Sequence, residues 1–360
     1  MMAAELASAH MQERGCARLL EHAKTEQGDV ARLGGMAAIA NAMAAHPEAA
    51  AVQLLGAHAL ERACNGHEAN VLELLTSGGF STVLAGLKAF PSDAALQEVG
   101  CKLIRNAAVC NVKCQAKVAE LGGIQAAVRA LTAHPTACSV LDAGLRALRE
   151  LAAYSAANQE VIVSKSGIQI VLRAMENHCE SPAIQTLGCG VLRNLTATSA
   201  ENQESVLSRG GVQVVMAAME EHPDSPEVQQ AGCWAMFCLC VHNPEVQAAL
   251  AGNGVVKAAL KAMERHRSEA KVQEAGCWLI KELAKQIVTT STPLAMGSSQ
   301  AVLKAMDKHT FVSAVQTAAD GALRALATLD RSGWVKTACL GRLGRLGRSA
   351  TRTALSVINE

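Results

Sequence analysis

Aromatic side chains are nearly absent from this chain: they make up 2% of its 360 residues, and Tyr154 is the sole tyrosine. Large rings therefore cannot build the interior. A core of Ala, Leu, Val, Ile, Met and Cys needs many close, small contacts, which helices packed flank to flank supply. Strong charge of either sign is missing too. The net charge is +1, so no global field steers the chain toward nucleic acid or membrane. The balance is uneven, since residues 331–360 carry Arg331, Lys336, Arg342, Arg345, Arg348 and Arg352 against Glu360.

Long apolar runs are also lacking. The longest, Ala231–Val241, is about half of the ~20 residues that span a bilayer. In the Met1–Met11 stretch, Glu5 and His10 interrupt any apolar core of a secretory signal. No C-x-x-C pair occurs among the 13 cysteines, and Cys110 with Cys114 has no matching pair nearby. The thiols read as small buried hydrophobes of a reducing compartment. The cytoplasm is the expected location, with the nucleus as the alternative. Gly-rich phosphate loops, H-E-x-x-H and G-x-S-x-G are all missing. The sequence thus predicts no enzyme, no cofactor, no metal and no small-molecule substrate.

What is present is a repeat. Met43, Leu87, Leu131, Met175, Met219 and Met263 stand 44 residues apart, and Met306 follows 43 later. Gly56, Gly100, Gly144, Gly188, Gly232 and Gly276 form a second column with the same step. Cys follows that glycine at Cys101, Cys189, Cys233 and Cys277. Gln precedes it by three at Gln53, Gln97, Gln185, Gln229 and Gln273. Steps in the forties belong to helical solenoids, and the usual domain prior of about one per 150 residues does not apply to such arrays.

Each repeat reads as three helices. In one copy they are a short helix around 158–162, a second over 167–175 and a third over 184–195. Gly-Gly at 34–35, 78–79, 122–123 and 210–211 fits a sharp turn between the first two. His-Pro and Ser-Pro pairs mark the second break. Residues 289–299 read as an irregular link that replaces a first helix. The expected organisation is a capping half-repeat over 1–33 and a repeat array over 34–329, with repeats starting near 34, 78, 122, 166, 210, 253 and 297. A basic tail over 330–360 completes it.

The segments Glu201-Asn202-Gln203, Gly210-Gly211-Val212 and Val191-Leu192-Arg193-Asn194-Leu195 resemble the armadillo repeat family over residues 34 to about 329. The 44-residue step is similar to that of armadillo-like scaffolds and of the armadillo region of leucine-rich-repeat kinases. The resemblance implies an all-α, right-handed superhelix whose third helices line a concave groove. In karyopherin-α and β-catenin such a groove holds an extended peptide, through a Trp and an Asn four residues later. Here those positions read His58/Arg62, Lys102/Asn106, Arg146/Glu150, Gly190/Asn194, Trp234/Cys238, Trp278/Glu282 and Gly321/Ala325. No repeat has both members, so the resemblance implies the groove without karyopherin chemistry.

At about 100° per residue, Val228, Ala235, Met236 and Leu239 share the buried side of a third helix with Gly232. Gln230, Trp234, Phe237, Cys238 and Val241 lie opposite. The candidate partner-binding residues are Lys102, Arg105, Asn106, Arg149, Arg193, Asn194, Trp234, Phe237, Trp278 and Lys281. Arg105, Arg149, Arg193, Lys281 and Arg324 form a basic column. It reads either as a groove edge for an acidic partner or as charge suited to helix C-termini. Trp234, Phe237 and Trp278 read as a partner patch or as core. The His column (His46, His134, His178, His222, His266, His309) is too widely spaced for one metal ion and suits helix ends. The expected function is a protein-binding scaffold for an extended or helical segment with acidic stretches. The alternative is a nucleic-acid or anionic-membrane tether acting through the tail and the Arg column. A solvated terminus is the plain reading of the tail.

Overall fold

The architecture follows from how small residues let helices approach. The computed structural model describes residues 8–290 and 292–329, so the tail and the tether reading built on it lie outside the described residues. Among the described residues there are only helices and turns, and no helix is long and apolar enough to cross a membrane. The chain divides into two compact units, Met1–Asn177 and His178–Glu360.

In the first unit the third helices are Ala50–Cys64, Ala94–Ala108 and Cys138–Ala152, each packed on the next. The helix Ala9–Ala23 packs on Ala50–Cys64 in the same relation. In the second unit the third helices are Pro182–Thr196, Pro226–Cys240, Ala270–Glu282 and Ser313–Leu329, again packed in sequence. First and second helices fill the intervals, as in Ala200–Ser208 and Gly211–Glu221.

Each boundary has a local cause. Ser181 and Ser225 cap third helices by accepting the N–H groups of Ile184 and Val228 at 3.4 and 3.3 Å. Pro182 and Pro226 follow in the first turn, where a missing N–H does no harm. The two glycines of a Gly-Gly turn do different work. Gly122 adopts φ +99°, a left-handed conformation that costs glycine little. Gly123 is needed for space, because a Cβ there would sit 2.9 Å from the Val118 carbonyl oxygen.

The two 44-residue columns meet physically. A Cβ on Gly232 would lie 2.6 Å from both Cγ and Sδ of Met219. The same pairing joins Gly56 to Met43, Gly100 to Leu87, Gly144 to Leu131 and Gly276 to Met263. The large residue of the second helix thus sits on bare backbone of the third. The glutamine column closes this turn. Gln229 Nε2 donates to the carbonyls of Met219 at 2.7 Å and His222 at 2.9 Å. Gln53, Gln97, Gln273 and Gln316 make the corresponding pairs of bonds. These otherwise orphaned helix-end carbonyls are thereby satisfied in the interior.

The histidines tie one repeat to the one before it. His134 donates to the Pro91 carbonyl at 2.8 Å. In the second unit His222, His266 and His309 reach Cys179, Pro223 and Arg267 carbonyls at 2.6, 2.8 and 2.8 Å. The cysteine column also faces the neighbouring repeat: Cys101 packs with Ala130, Val140 and Ala143.

The expected irregular link at 289–299 is corrected. A short first helix, Ala284–Thr290, is present, and Thr292–Lys308 is one continuous helix. The Thr/Ser/Pro composition reads as a breaker, yet Pro293 stands in the first turn of that helix, where proline is tolerated.

Two outcomes are expected. Gly232→Ala should destabilise the protein, because overpacking against Met219 costs about 1–3 kcal/mol while alanine returns roughly 1 kcal/mol of helix propensity. Gly252→Ala, where nothing lies within 4 Å of the added Cβ, should be neutral or stabilising. Urea denaturation of both variants checks this, and equal effects would contradict the seat on Gly232.

Burial pushes the thiols of Cys101, Cys189, Cys233 and Cys277 up to about 12 from the usual 9.0. Their contribution to stability is complete below the unfolded value and is lost as pH rises through the folded one. At pH 8 a thiol reagent should label exposed Cys138 and Cys179 while these four react only on unfolding. Mass mapping of the labelled sites is the check.

Candidate functional site

In the second unit the outward face of the third helices gathers five side chains into one row. Trp234 and Phe237 lie three apart on Pro226–Cys240 and so share a face. Their rings meet edge to face, 5.5 Å between centroids at 84°. Phe237 reaches across to Trp278 on Ala270–Glu282, at 6.1 Å and 55°. Both ends are capped by cations. The Arg193 guanidinium lies 4.9 Å from the Trp234 ring centre, and the Lys281 ammonium 4.5 Å from that of Trp278.

Such cation–π contacts contribute about 0.5–1 kcal/mol at exposed sites and more where water is excluded. The Lys281 stem runs close over Gly321, where a Cβ would lie 3.2 Å from its Cδ. The three rings and Lys281 are half-buried, and Arg193 is exposed. Among the described residues neither Arg193 nor Lys281 has a carboxylate within 4.0 Å.

Around this row the polar groups are engaged. Glu282 accepts from the His242 backbone N–H at 3.2 Å and from Gln247 Nε2 at 3.0 Å. It thereby holds a turn in which His242 has φ +58°. Cys238, expected on the outward face, is buried at 7% exposure. Burial raises its thiol pKa, against the nearby Arg193 charge that lowers it. Asn194 is half-buried on Pro182–Thr196.

The first unit carries a different chemistry at the same register. Lys102 reaches Glu98 at 2.5 Å, and that hydrogen bond holds the carboxyl below its usual range. Arg146 makes a two-pronged contact with Asp142 at 2.7 and 3.0 Å. Arg149 binds Glu150 through Nε at 3.0 Å and Nη2 at 2.6 Å. Asn106 is buried at 5% exposure, and its amide donates to Glu61 Oε1, one repeat back, at 3.0 Å. A cleft of about 320 Å³ opens among these helices. Its lining includes Arg62 and Arg146, which stand in the expected ladder columns but outside the candidate set. Their column membership was the signal for them.

The three-helix repeats, the glycine turns and the outward column identify the architecture. The pattern that defines the LRRK2 ARM repeat family matches residues 2–338. The chain belongs to this armadillo-repeat family. Its fold is the all-α armadillo solenoid. Among curated proteins no sequence match is found.

Solved armadillo-type structures share the fold. One comes from work on a phosphorylation switch controlling the interaction between cadherin and beta-catenin. It is 18% identical at TM-score 0.74 and covers 95% of this chain, which spans 66% of that one. An engineered protein is 18% identical at TM-score 0.74, covering 97% of this chain and 94% of its own. A designed armadillo repeat protein in complex with the peptide (KR)4 is 16% identical at TM-score 0.57, covering 66% and 95%.

Asn106 sits where an armadillo ladder would offer an amide to a partner, yet its amide serves the fold. Asn106→Ala should therefore lower stability by about 1.5–3 kcal/mol, the range for a hydrogen bond to a charged group. A urea titration with an unshifted midpoint would show that the Glu61 contact is dispensable.

Proposed function

We propose that this armadillo-repeat chain is a non-enzymatic scaffold that binds an extended or helical segment of a protein partner along its third helices. Residues 1–33 cap the array, 34–329 form it, and 330–360 are a basic tail. The observation that carries the reading is the row Arg193–Trp234–Phe237–Trp278–Lys281. In a chain with 2% aromatics, three rings standing half-exposed in one line are poorly explained by packing alone.

Aromatic and Arg side chains dominate interface energetics. The ring faces hold the two cations in the row without neutralising them, so an acidic segment complements it. The designed relative that holds (KR)4 supports peptide binding on this fold; the charge at this row favours the opposite sign of partner. Lys102, Arg105, Asn106 and Arg149 belong to the first unit, where Lys102 and Arg149 are paired with Glu98 and Glu150 and the Asn106 amide with Glu61, which leaves less for an acidic segment than the row offers.

The test is affinity capture with mass spectrometry, followed by titration of the recovered partner. Trp234→Ala combined with Trp278→Ala should weaken binding at least about tenfold, as loss of interface hot spots does, with helicity unchanged by circular dichroism. Undiminished affinity in the double variant would remove the row from the binding surface.

A further inference from the structure

The first unit has a feature that its packing does not use. The cleft at its third helices is lined by four cations, Arg62, Lys102, Arg105 and Arg146, and by the carboxylates Glu61 and Asp142. Asp142 is taken by Arg146 through both oxygens, and Lys102 by Glu98 in the preceding turn. Glu61 accepts from Asn106, and its nearest cation, Arg62, stands 3.9 Å away.

Arg105 is different. It is half-buried, and among the described residues no carboxylate lies within 4.0 Å of it. Its Nε is buried with no acceptor. Its hydrogen bond from Nη1 to Asn106 Oδ1 is a long one, at 3.5 Å. A partly desolvated guanidinium without a counterion is unfavourable, and an incoming oxyanion relieves it.

The form of that oxyanion follows from the donors. Arg62, Lys102 and Arg105 approach the cleft from two adjacent helices, more donors than the two oxygens of a carboxylate can serve. A phosphate monoester offers three acceptor oxygens and about −1.5 to −2 charge at pH 7. It also matches the planar fork of arginine. We propose that this cleft binds a phosphorylated serine or threonine side chain of a protein partner, with Arg105 its principal contact. The site is independent of the aromatic row, and each can fail without the other.

The test uses the full chain and two probes, O-phospho-L-serine and L-aspartate, titrated at constant ionic strength and followed by NMR. Phosphoserine should bind saturably and aspartate at least about tenfold more weakly. Arg105→Gln should lower phosphoserine affinity about tenfold, the scale of one charge-assisted hydrogen bond. Arg105→Lys should recover part of the loss, and Arg129→Gln, on an exposed second-helix position, should change nothing. If Arg105→Gln fails to fold, Lys102→Gln supplies the same comparison. Equal affinity for aspartate, or equal loss in Arg129→Gln, overturns the assignment.

Discussion

The outward face of this protein depends on a contact in its interior: a methionine or leucine of the second helix lying on the bare backbone of a glycine in the third, at Gly56, Gly100, Gly144, Gly232 and Gly276. With no Cβ between them, the two helices come to a fixed separation, and the glutamine three residues earlier locks the turn that joins them. Once the glycine side of the third helix is fixed inward, positions two and five residues later lie some 200° and 140° away. Trp234 and Phe237 stand in those positions after Gly232, Trp278 and Lys281 after Gly276, Lys102 and Arg105 after Gly100. The row and the cleft are consequences of one packing rule repeated along the chain.

This is also why so much was legible. A residue type recurring every 44 positions exposes itself by spacing alone, and the Met, Gly, Gln and His columns marked helices whose boundaries differ from expectation by one or two residues. The reading weakened where the deciding contact crosses repeats. Asn106 looks available on a helical wheel, but Glu61, 45 residues earlier, takes its amide. Cys238 falls at the outward edge, yet burial claims it. The Thr/Ser-rich stretch after Thr289 has the composition of a linker, and only its packing makes it helix. Wheels carry intrahelical geometry; they carry nothing about a neighbour one repeat away.

The histidine column shows a subtler limit. Spacing argued against shared metal coordination and for a role at helix ends. It did not show that the rings of His134, His222, His266 and His309 reach back a whole repeat to donate to a loop carbonyl. A helix-end residue thereby becomes a tie between repeats, so cohesion in each unit combines apolar contact with a directional bond.

The two units then diverge in how they treat positive charge at one register. In the first, an acid two residues before the glycine lies one helical turn from a cation two residues after it, and Glu98–Lys102 and Asp142–Arg146 pair along single helices. Such exposed pairs add little stability and are weakened by salt. In the second, the later position is tryptophan at 234 and 278, so no such pairing arises. The ring instead meets a cation or a ring of its own helix or of the adjacent one. A carboxylate would occupy the donors of a guanidinium, whereas a ring occupies one of its faces. Five residues after their glycines, Arg193 and Lys281 thus lie against rings, whereas Arg149 at the same step in the first unit binds the carboxylate of Glu150.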